Sequence, residues 1–180
     1  NNKEEDYYLC LSKLSTHAGY LTINISSPNT QGLRDFHDET ELQKLLEGIN
    51  KIKKEKNILK PIAIKLSPDI HYKEISKIIE LLFKYKIEGV IVSNTTDSNR
   101  DNLLDEQKKE EGGLSGQPLK NISTELIKKF YKETKGKVKI IGVGGVDSGK
   151  TAFEKICAGA DVVQLYTGMV FKGPGAVSYT

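Results

Sequence analysis

The residues from Gly144 to Thr151 read GGVDSGKT, which matches the Walker A pattern of phosphate-binding loops. A nucleotide hydrolase would also need an apolar strand ending in a magnesium-binding aspartate, but in ADVVQL the acid, Asp161, comes first. We therefore expect Gly144 and Gly145 to bind phosphate through backbone N–H groups. Lys150 and Thr151 are predicted to face solvent on the following helix. A P-loop nucleotide-binding protein built on Gly144–Thr151 is the alternative interpretation.

Lys65 lies within the apolar run IAIKLS. An ammonium buried in a central strand is unfavourable by several kcal/mol unless an anion meets it. A salt bridge to a core carboxylate is the ordinary solution, but the neighbouring apolar runs supply only Asn24, Ser26, Ser93 and Asn94. A bound anionic ligand is therefore the better candidate for the partner of Lys65.

Amides and hydroxyls follow the same apolar runs, at Asn24, Asn29, Asn94 and Thr95. A single buried asparagine is usually a core amide bonded to nearby backbone. Several of them near strand ends favour a flat, hydrogen-bonding heterocycle as ligand, because buried amides need satisfied partners.

Further glycines mark places of close backbone approach, in the sequence GGLSG at Gly112, Gly113 and Gly116. In β/α barrels, the loops after the last two strands commonly bind phosphate. Gly144 and Gly145 occupy the first of these positions, and Tyr166 and Thr167 occupy the second. The three histidines, His17, His37 and His71, show no metal-ligand spacing, so we expect surface histidines and no metal site.

Five short apolar runs, rich in β-branched residues, predict the strands that position these groups. The runs span residues 20–26, 60–67, 89–95, 137–145 and 160–167. Amphipathic stretches between them predict helices over 39–56, 71–86, 123–135 and 148–160. Strict alternation of strand and helix indicates an α/β fold with parallel strands and right-handed crossovers.

Each predicted strand becomes polar at its end, which favours a TIM (β/α)₈ barrel over an open sheet with a single ligand crevice. Five strands cannot close a barrel that needs eight, so we expect roughly the last five βα units, without the early strands and the final helix. The long connections 27–38 and 96–120 are predicted to be functional lids, apart from the charged stretch 100–111, which is expected to be plain surface loop.

Composition excludes other classes of protein. The 27 basic residues are dispersed among 24 acids for a net charge of +3, and the densest run, KIKKEKNILK at 51–60, contains no aromatic residue, so nucleic-acid binding is not expected. No apolar run approaches the roughly 20 residues needed to cross a bilayer.

The chain resembles the dihydroorotate dehydrogenase family in six motifs, found in this order along nearly its whole length: NISSPNTQGLRD, IKLSPD, VSNTT, GGLSGQPLKNIST, IIGVGGVDSG and AGADVVQLYTGMVFKGP. The resemblance implies an FMN-dependent barrel that oxidises dihydroorotate to orotate in pyrimidine biosynthesis. A non-catalytic flavin- or phosphate-binding barrel is the remaining alternative, which an intact SSPNT loop disfavours.

The loop SSPNT resembles one class of this family, in which Ser27 replaces the cysteine of the soluble class and electrons pass to a membrane quinone. By this resemblance Ser27 is the catalytic base. A serine hydroxyl is a poor base near neutral pH, so it must pass its own proton onward, and Thr30 is the candidate relay.

The resemblance also implies the binding residues. Those for the substrate are Asn24, Asn29, Asn94 and Thr95. Those for FMN are Asn24, Lys65, Ser93, Gly116, Gly145, Tyr166 and Thr167, to which the glycine pattern adds Gly144. Lys65 would stabilise the negative charge that appears on flavin reduction.

By the same resemblance, residues 1–180 form one partial FMN-binding barrel domain, and a quinone-binding segment that docks on the membrane would precede it. We expect a peripheral protein on the cytoplasmic face of a bacterial inner membrane, or alternatively on the mitochondrial inner membrane, with a monomer favoured for the full-length enzyme. The 180 residues alone are expected to leave sheet edges exposed, to aggregate and to be inactive.

Overall fold

The computed structural model, which describes residues 3–98, 100–101 and 103–179, contains one parallel β-sheet. Its strands are β1 (Leu21–Asn24), β2 (Ile62–Leu66), β3 (Gly89–Val92), β4 (Lys139–Val143) and β5 (Val162–Gln164). Their spatial order is the order of the sequence, β1-β2-β3-β4-β5. Leu21 pairs with Ile62, Ala63 with Gly89, Gly89 with Lys139, and Ile141 with Val162.

A helix follows every strand, and one more precedes β1. The helices are α1 (Lys3–Leu14), α2 (Glu39–Glu55), α3 (Tyr72–Lys84), α4 (Lys120–Thr134), α5 (Gly149–Cys157) and α6 (Thr167–Lys172). Short 3₁₀ helices cover Ser15–His17, Arg34–His37, Glu106–Lys109, Gln117–Leu119 and Pro174–Tyr179. Helix α2 begins where the Asp38 carboxylate accepts hydrogen bonds from the N–H groups of Thr40 and Glu41, at 2.9 and 3.3 Å.

The core lies between the sheet and helices α2, α3 and α4. All four residues of β3 are buried, so this strand is covered on both faces, as the apolar run GVIV predicts. The helices contribute apolar stripes with helical spacing: Leu42, Leu45, Leu46 and Ile49 from α2, and Ile75, Ile78, Ile79 and Leu82 from α3.

The predicted α/β fold is confirmed: these are five consecutive βα units of a (β/α)₈ barrel. All five strands form where they were predicted, and each is shorter than its predicted run; Asn24, Lys65 and Gln164 lie within strands, whereas Ser93, Asn94 and Gly144 lie in the loops that follow. In the described part of the chain, no helix is both long enough and apolar enough to cross a membrane.

Candidate active site

A cavity of about 490 Å³ lies at the carboxyl ends of β2 to β5. The C-terminal ends of parallel strands converge on one face, so loops far apart in sequence meet there. Nine of the predicted site residues line this cavity: Lys65, Ser93, Asn94, Thr95, Gly116, Gly144, Gly145, Tyr166 and Thr167. Ser115 and Gln164 also line it, and neither was identified from the sequence.

Lys65 reaches the cavity from the fourth position of β2 and is the only residue of that strand that is not buried. Among the described residues, none forms an ion pair or a hydrogen bond with its ammonium group. Partial burial lowers the pKa of the Lys65 ammonium from its ordinary value. Within the described residues, no carboxylate neutralises the Lys65 ammonium at the cavity wall.

Gly144 and Gly145 form the turn after β4, with φ angles of +114° and +70°. A Cβ atom on Gly145 would lie 2.6 Å from Lys120 Cβ and 2.9 Å from the Lys120 backbone nitrogen, at the start of α4. The backbone of this turn is thus pressed against α4 on one side and borders the cavity on the other. Only glycine combines this left-handed conformation with so close an approach.

The second half of GGVDSGKT is a helix cap. Ser148 and Thr151 form a capping box at the start of α5, in which the Thr151 hydroxyl accepts hydrogen bonds from the N–H groups of Asp147 and Ser148, both at 3.0 Å. The prediction that Thr151 faces solvent is therefore wrong: it is 7% exposed, because a residue at this position folds back over the helix start. Lys150 is exposed, as predicted. With the hydroxyl used in capping and the lysine outside the cavity lining, the geometry does not support a P-loop.

Asn24 and Asn94 meet across β1 to β3 in a network of polar side chains. Asn24 Oδ1 accepts hydrogen bonds from Ser26 Oγ at 3.0 Å and from Asn94 Nδ2 at 3.3 Å. The side-chain amide of Asn94 is also fixed, because its Oδ1 accepts a hydrogen bond from the Thr95 N–H at 2.8 Å. Ser26 is fully buried and joins the network, although sequence reasoning gave it no role. The result is a fixed array of amide groups beside the cavity.

Ser27 lies in the loop after β1, and its Oγ accepts hydrogen bonds from the Asn29 N–H at 3.2 Å and from Thr30 Oγ1 at 3.4 Å. The contact predicted between Ser27 and Thr30 is therefore present, at the long end of the hydrogen-bond range. Asn29 is exposed and lines a separate cavity with Pro28 and Gln31, so the structure does not bring its side chain into the array formed by Asn24 and Asn94.

Ser115 joins the GGLSG loop to the turn after β5, because its Oγ accepts a hydrogen bond from Thr167 Oγ1 at 2.9 Å. The adjacent Gly116 has a φ of +77°, and a Cβ there would lie 3.1 Å from Thr167 Cγ2. The position of Ser115 immediately before a predicted site glycine was the sequence signal that could have identified it.

His37 is not the surface residue that the sequence predicted. It lies half-buried in the 3₁₀ helix Arg34–His37, where its neighbour Phe36 is 3% exposed and packs edge-on against Tyr7. Burial, and then the nearby Arg34 charge, lower the pKa of His37 from 6.5 to about 4. The imidazole is therefore neutral at physiological pH.

Comparison with known proteins agrees with the resemblance seen in the sequence. The family model described as dihydroorotate dehydrogenase matches residues 1–179. A protein of Vibrio cholerae serotype O1 named dihydroorotate dehydrogenase (quinone) is 45% identical over 183 residues, which cover 97% of this chain and 53% of that protein. The protein of the same name from Psychrobacter arcticus is 42% identical over 179 residues, or 96% of this chain and 52% of the relative. The chain thus spans about half the length of the curated relatives it matches.

The similar solved structures are also named DHODH, the abbreviation of dihydroorotate dehydrogenase. The DHODH of Eimeria tenella in complex with ferulenol superposes with a TM-score of 0.95 at 32% identity, over 99% of this chain and 52% of that one. The ligand-free form from the same organism gives a TM-score of 0.91 at 33% identity, over 99% and 54% of the two chains. The relatives from Vibrio cholerae and Psychrobacter arcticus bear the name of the quinone class. The chain therefore belongs to the dihydroorotate dehydrogenase family.

Proposed function

We propose that the protein oxidises dihydroorotate to orotate in pyrimidine biosynthesis, with FMN as cofactor and a serine base. The observation that carries the proposal is one cavity lined by a glycine turn, by an ammonium with no partner among the described residues, and by Asn94, whose amide is hydrogen-bonded to Asn24. Family membership supports the same reaction. The relatives from Vibrio cholerae and Psychrobacter arcticus, which are named quinone enzymes, support a membrane quinone as the final electron acceptor.

The residues that line the cavity fit FMN. The turn at Gly144 and Gly145 would offer backbone N–H groups to the phosphate, and it packs so closely on α4 that a Cβ atom on Gly145 would clash with Lys120. Lys65 would provide positive charge beside the flavin ring, where a half-buried ammonium acts more strongly than one in water. The other residues proposed to hold the cofactor are Asn24, Ser93, Gly116, Tyr166 and Thr167. FMN, when bound, would supply the hydride acceptor.

The substrate would bind between the cofactor and the loop that carries Ser27. Asn24, Asn94 and Thr95 would offer amide and hydroxyl groups to the carbonyl and N–H groups of the pyrimidine ring, and Asn29 is the fourth proposed contact. Because the hydrogen bonds between Asn24, Ser26 and Asn94 already fix these amides, their orientation would not have to be established on binding.

Ser27 Oγ would take the proton that dihydroorotate loses. It must release its own hydroxyl proton at the same time, since a free serine alkoxide is not formed near neutral pH. Thr30 Oγ1 lies 3.4 Å away and donates to Ser27 Oγ. Rotation of the two hydroxyl groups would reverse this hydrogen bond, so that Ser27 donates to Thr30. Thr30 is exposed, and from there the proton would reach water.

The localisation proposed for the protein follows from its electron acceptor. A quinone dissolved in the bilayer requires contact with the membrane, so we propose a peripheral membrane protein on the cytoplasmic face of a bacterial inner membrane, or alternatively on the mitochondrial inner membrane. Residues 1–180 would contribute one part of the barrel domain, and the quinone would be bound outside them.

Anaerobic mixing of the intact protein with dihydroorotate, followed by the flavin absorbance spectrum, tests the proposed function. We expect wild type and Ser27→Ala to contain FMN, with bleaching at least about 100-fold slower in the variant, the range typical of a lost general base. Ser76→Ala is the matched control, because Ser76 is an exposed residue of α3 bonded to Glu133. Flavin that never bleaches in wild type would support a binding-only barrel. A flavin-free protein whose nucleotide hydrolysis is lost in Lys150→Ala would support the P-loop alternative.

A further inference from the structure

Arg34 connects three loops that follow three different strands. Its Nη1 lies 2.9 Å from Asp97 Oδ1, and its Nη2 lies 3.2 Å from Asp69 Oδ2. Nη2 also donates a longer hydrogen bond, of 3.5 Å, to the carbonyl oxygen of Thr95. Arg34 belongs to the loop after β1, Asp69 to the loop after β2, and Thr95 and Asp97 to the loop after β3. One guanidinium therefore joins the loop carrying Ser27 to the other two.

The carboxylate of Asp69 extends this connection to a fourth segment. Asp69 Oδ1 accepts a hydrogen bond of 2.5 Å from Thr96 Oγ1, and Thr96 is 2% exposed. The backbone of Thr96 pairs in turn with Leu114, whose carbonyl accepts from the Thr96 N–H at 3.1 Å. Leu114 precedes Ser115 and Gly116, which line the main cavity. One network of ion pairs and hydrogen bonds, with a single arginine in it, thus links the loops after β1, β2 and β3, including both ends of the long loop after β3.

The Arg34–Asp69 pair is partly buried, with side-chain exposures of 25% and 21%, and in the second pair Arg34 is shielded while Asp97 is 52% exposed. The hydrogen bond from Arg34 holds the pKa of Asp97 below its ordinary value, so the carboxylate is ionised at neutral pH. A planar guanidinium can bond two carboxylates and a carbonyl at once, whereas a lysine ammonium cannot present donors in that fork. Asp35, the neighbour of Arg34, forms an ion pair with Lys3. Both side chains of that pair are exposed, at 52% and 69%, and ion pairs of this kind contribute little to stability.

We propose that Arg34 is a positioning residue, which holds the segment 27–33 with Ser27 and Thr30 against the loop that carries Asn94 and Thr95. This inference rests on the proposed function, since the base must lie in line with the substrate held by the amides. Arg34 acts through the backbone of both loops and is not assigned a contact with the substrate. A small displacement of Ser27 would slow proton removal without removing any group from the site.

The test compares Arg34→Lys and Asp97→Asn with wild type in the intact protein, including any sequence that flanks these residues. Amide hydrogen exchange in residues 29–33 should become roughly tenfold faster or more in both variants, because the segment loses its charge-assisted attachment. Exchange in β2 and β3 should stay unchanged. Flavin reduction by dihydroorotate should slow by about 10- to 100-fold, with an unaltered flavin spectrum. Asp97→Asn is included in case Arg34→Lys fails to fold. Because the Asp97 side chain is 52% exposed, its substitution should leave the fold intact.

Lys44→Ala is the control, because it removes an exposed ion pair with Glu41 on α2, away from the measured segment, and should change neither measurement. Wild-type exchange in residues 29–33 of both variants would overturn the proposal. Faster exchange with an unchanged rate of flavin reduction would overturn the role in positioning Ser27. If wild type itself cannot reduce its flavin with dihydroorotate, the proposed function fails, while hydrogen exchange still decides whether Arg34 fixes the segment.

Discussion

Substitution of Gly145 by alanine should weaken flavin binding while leaving the fold intact. The new Cβ would lie 2.6 Å from Lys120 Cβ and 2.7 Å from Lys120 Cα, and the residue would keep a φ of +70°. The obstructing atoms belong to the first residue of α4, so they cannot rotate away as the tip of a flexible side chain would. The glycine turn must therefore move away from α4, and the direction left open is towards the cavity.

Two contributions make up the expected loss of stability in Gly145→Ala. An alanine in the left-handed region is unfavourable by roughly 1–2 kcal/mol, and overpacking against fixed backbone adds about 1–3 kcal/mol. Together they lower the free energy of unfolding by about 2–5 kcal/mol, which corresponds to a fall in Tm of about 4 to 20 °C for a domain of this size. Displacement of the N–H groups that face the phosphate should weaken FMN binding at least about tenfold, since hydrogen bonds to a charged group contribute about 1.5–3 kcal/mol each.

The assay is fluorescence titration of the flavin-free intact protein with FMN, together with thermal unfolding. Gly136→Ala is the matched control: this glycine has a φ of +72°, but a Cβ there would lie 3.7 Å from Tyr131 and outside the lining of the main cavity. It should lose stability and keep its FMN affinity. Lys150→Ala should change neither property. Wild-type FMN affinity in Gly145→Ala, or weak binding in Lys150→Ala, would refute the assignment of phosphate to the glycine pair.

Two further predictions concern the buried and half-buried lysines. Lys155 is fully buried, and burial lowers its pKa from 10.5 to about 8. The folded protein therefore binds this proton less tightly than the unfolded chain does, and the free energy of unfolding should rise between pH 8 and 10.5. Urea unfolding of wild type should show the free energy of unfolding rise by up to about 3 kcal/mol across that range, and Lys155→Met should abolish the rise. A rise that persists in the variant would show that other groups cause it. Lys65→Met should make the reduction potential of the bound flavin more negative and slow its reduction about tenfold or more, as redox titration and rapid mixing would measure; an unchanged potential would place the ammonium away from the flavin.

Much of the site could be predicted because its residues interrupt an otherwise apolar pattern. Lys65 stands out in IAIKLS, Asn24 is the last residue of β1, and Asn94 follows the apolar strand β3 by two positions. Ser26 gave no such signal, because a serine is ordinary at the end of a buried strand, and Ser115 was marked only by its position immediately before a predicted site glycine. Their participation depends on which hydroxyl or amide lies within hydrogen-bond distance, at 3.0 Å from Asn24 and 2.9 Å from Thr167.

For Thr151 the sequence-based prediction was wrong, because the residue was expected to face solvent and is buried. Spacing alone could not tell a helix cap from an exposed helical turn, since both place a threonine near the start of α5. The capping box with Ser148 decided the matter, because the unpaired N–H groups at a helix start need an acceptor and the Thr151 hydroxyl was within reach.

The sequence by itself determined the order of strands and helices, the strand ends at which the candidate site lies, and the family to which the chain belongs. These features depend on local hydrophobic pattern and on motifs, and both are properties of contiguous residues. Only the tertiary structure decided that Arg34 meets Asp69 and Asp97, 35 and 63 positions further along the chain. Such pairs form because parallel strands bring the loops at their carboxyl ends together, and that juxtaposition leaves no periodic signal in the sequence.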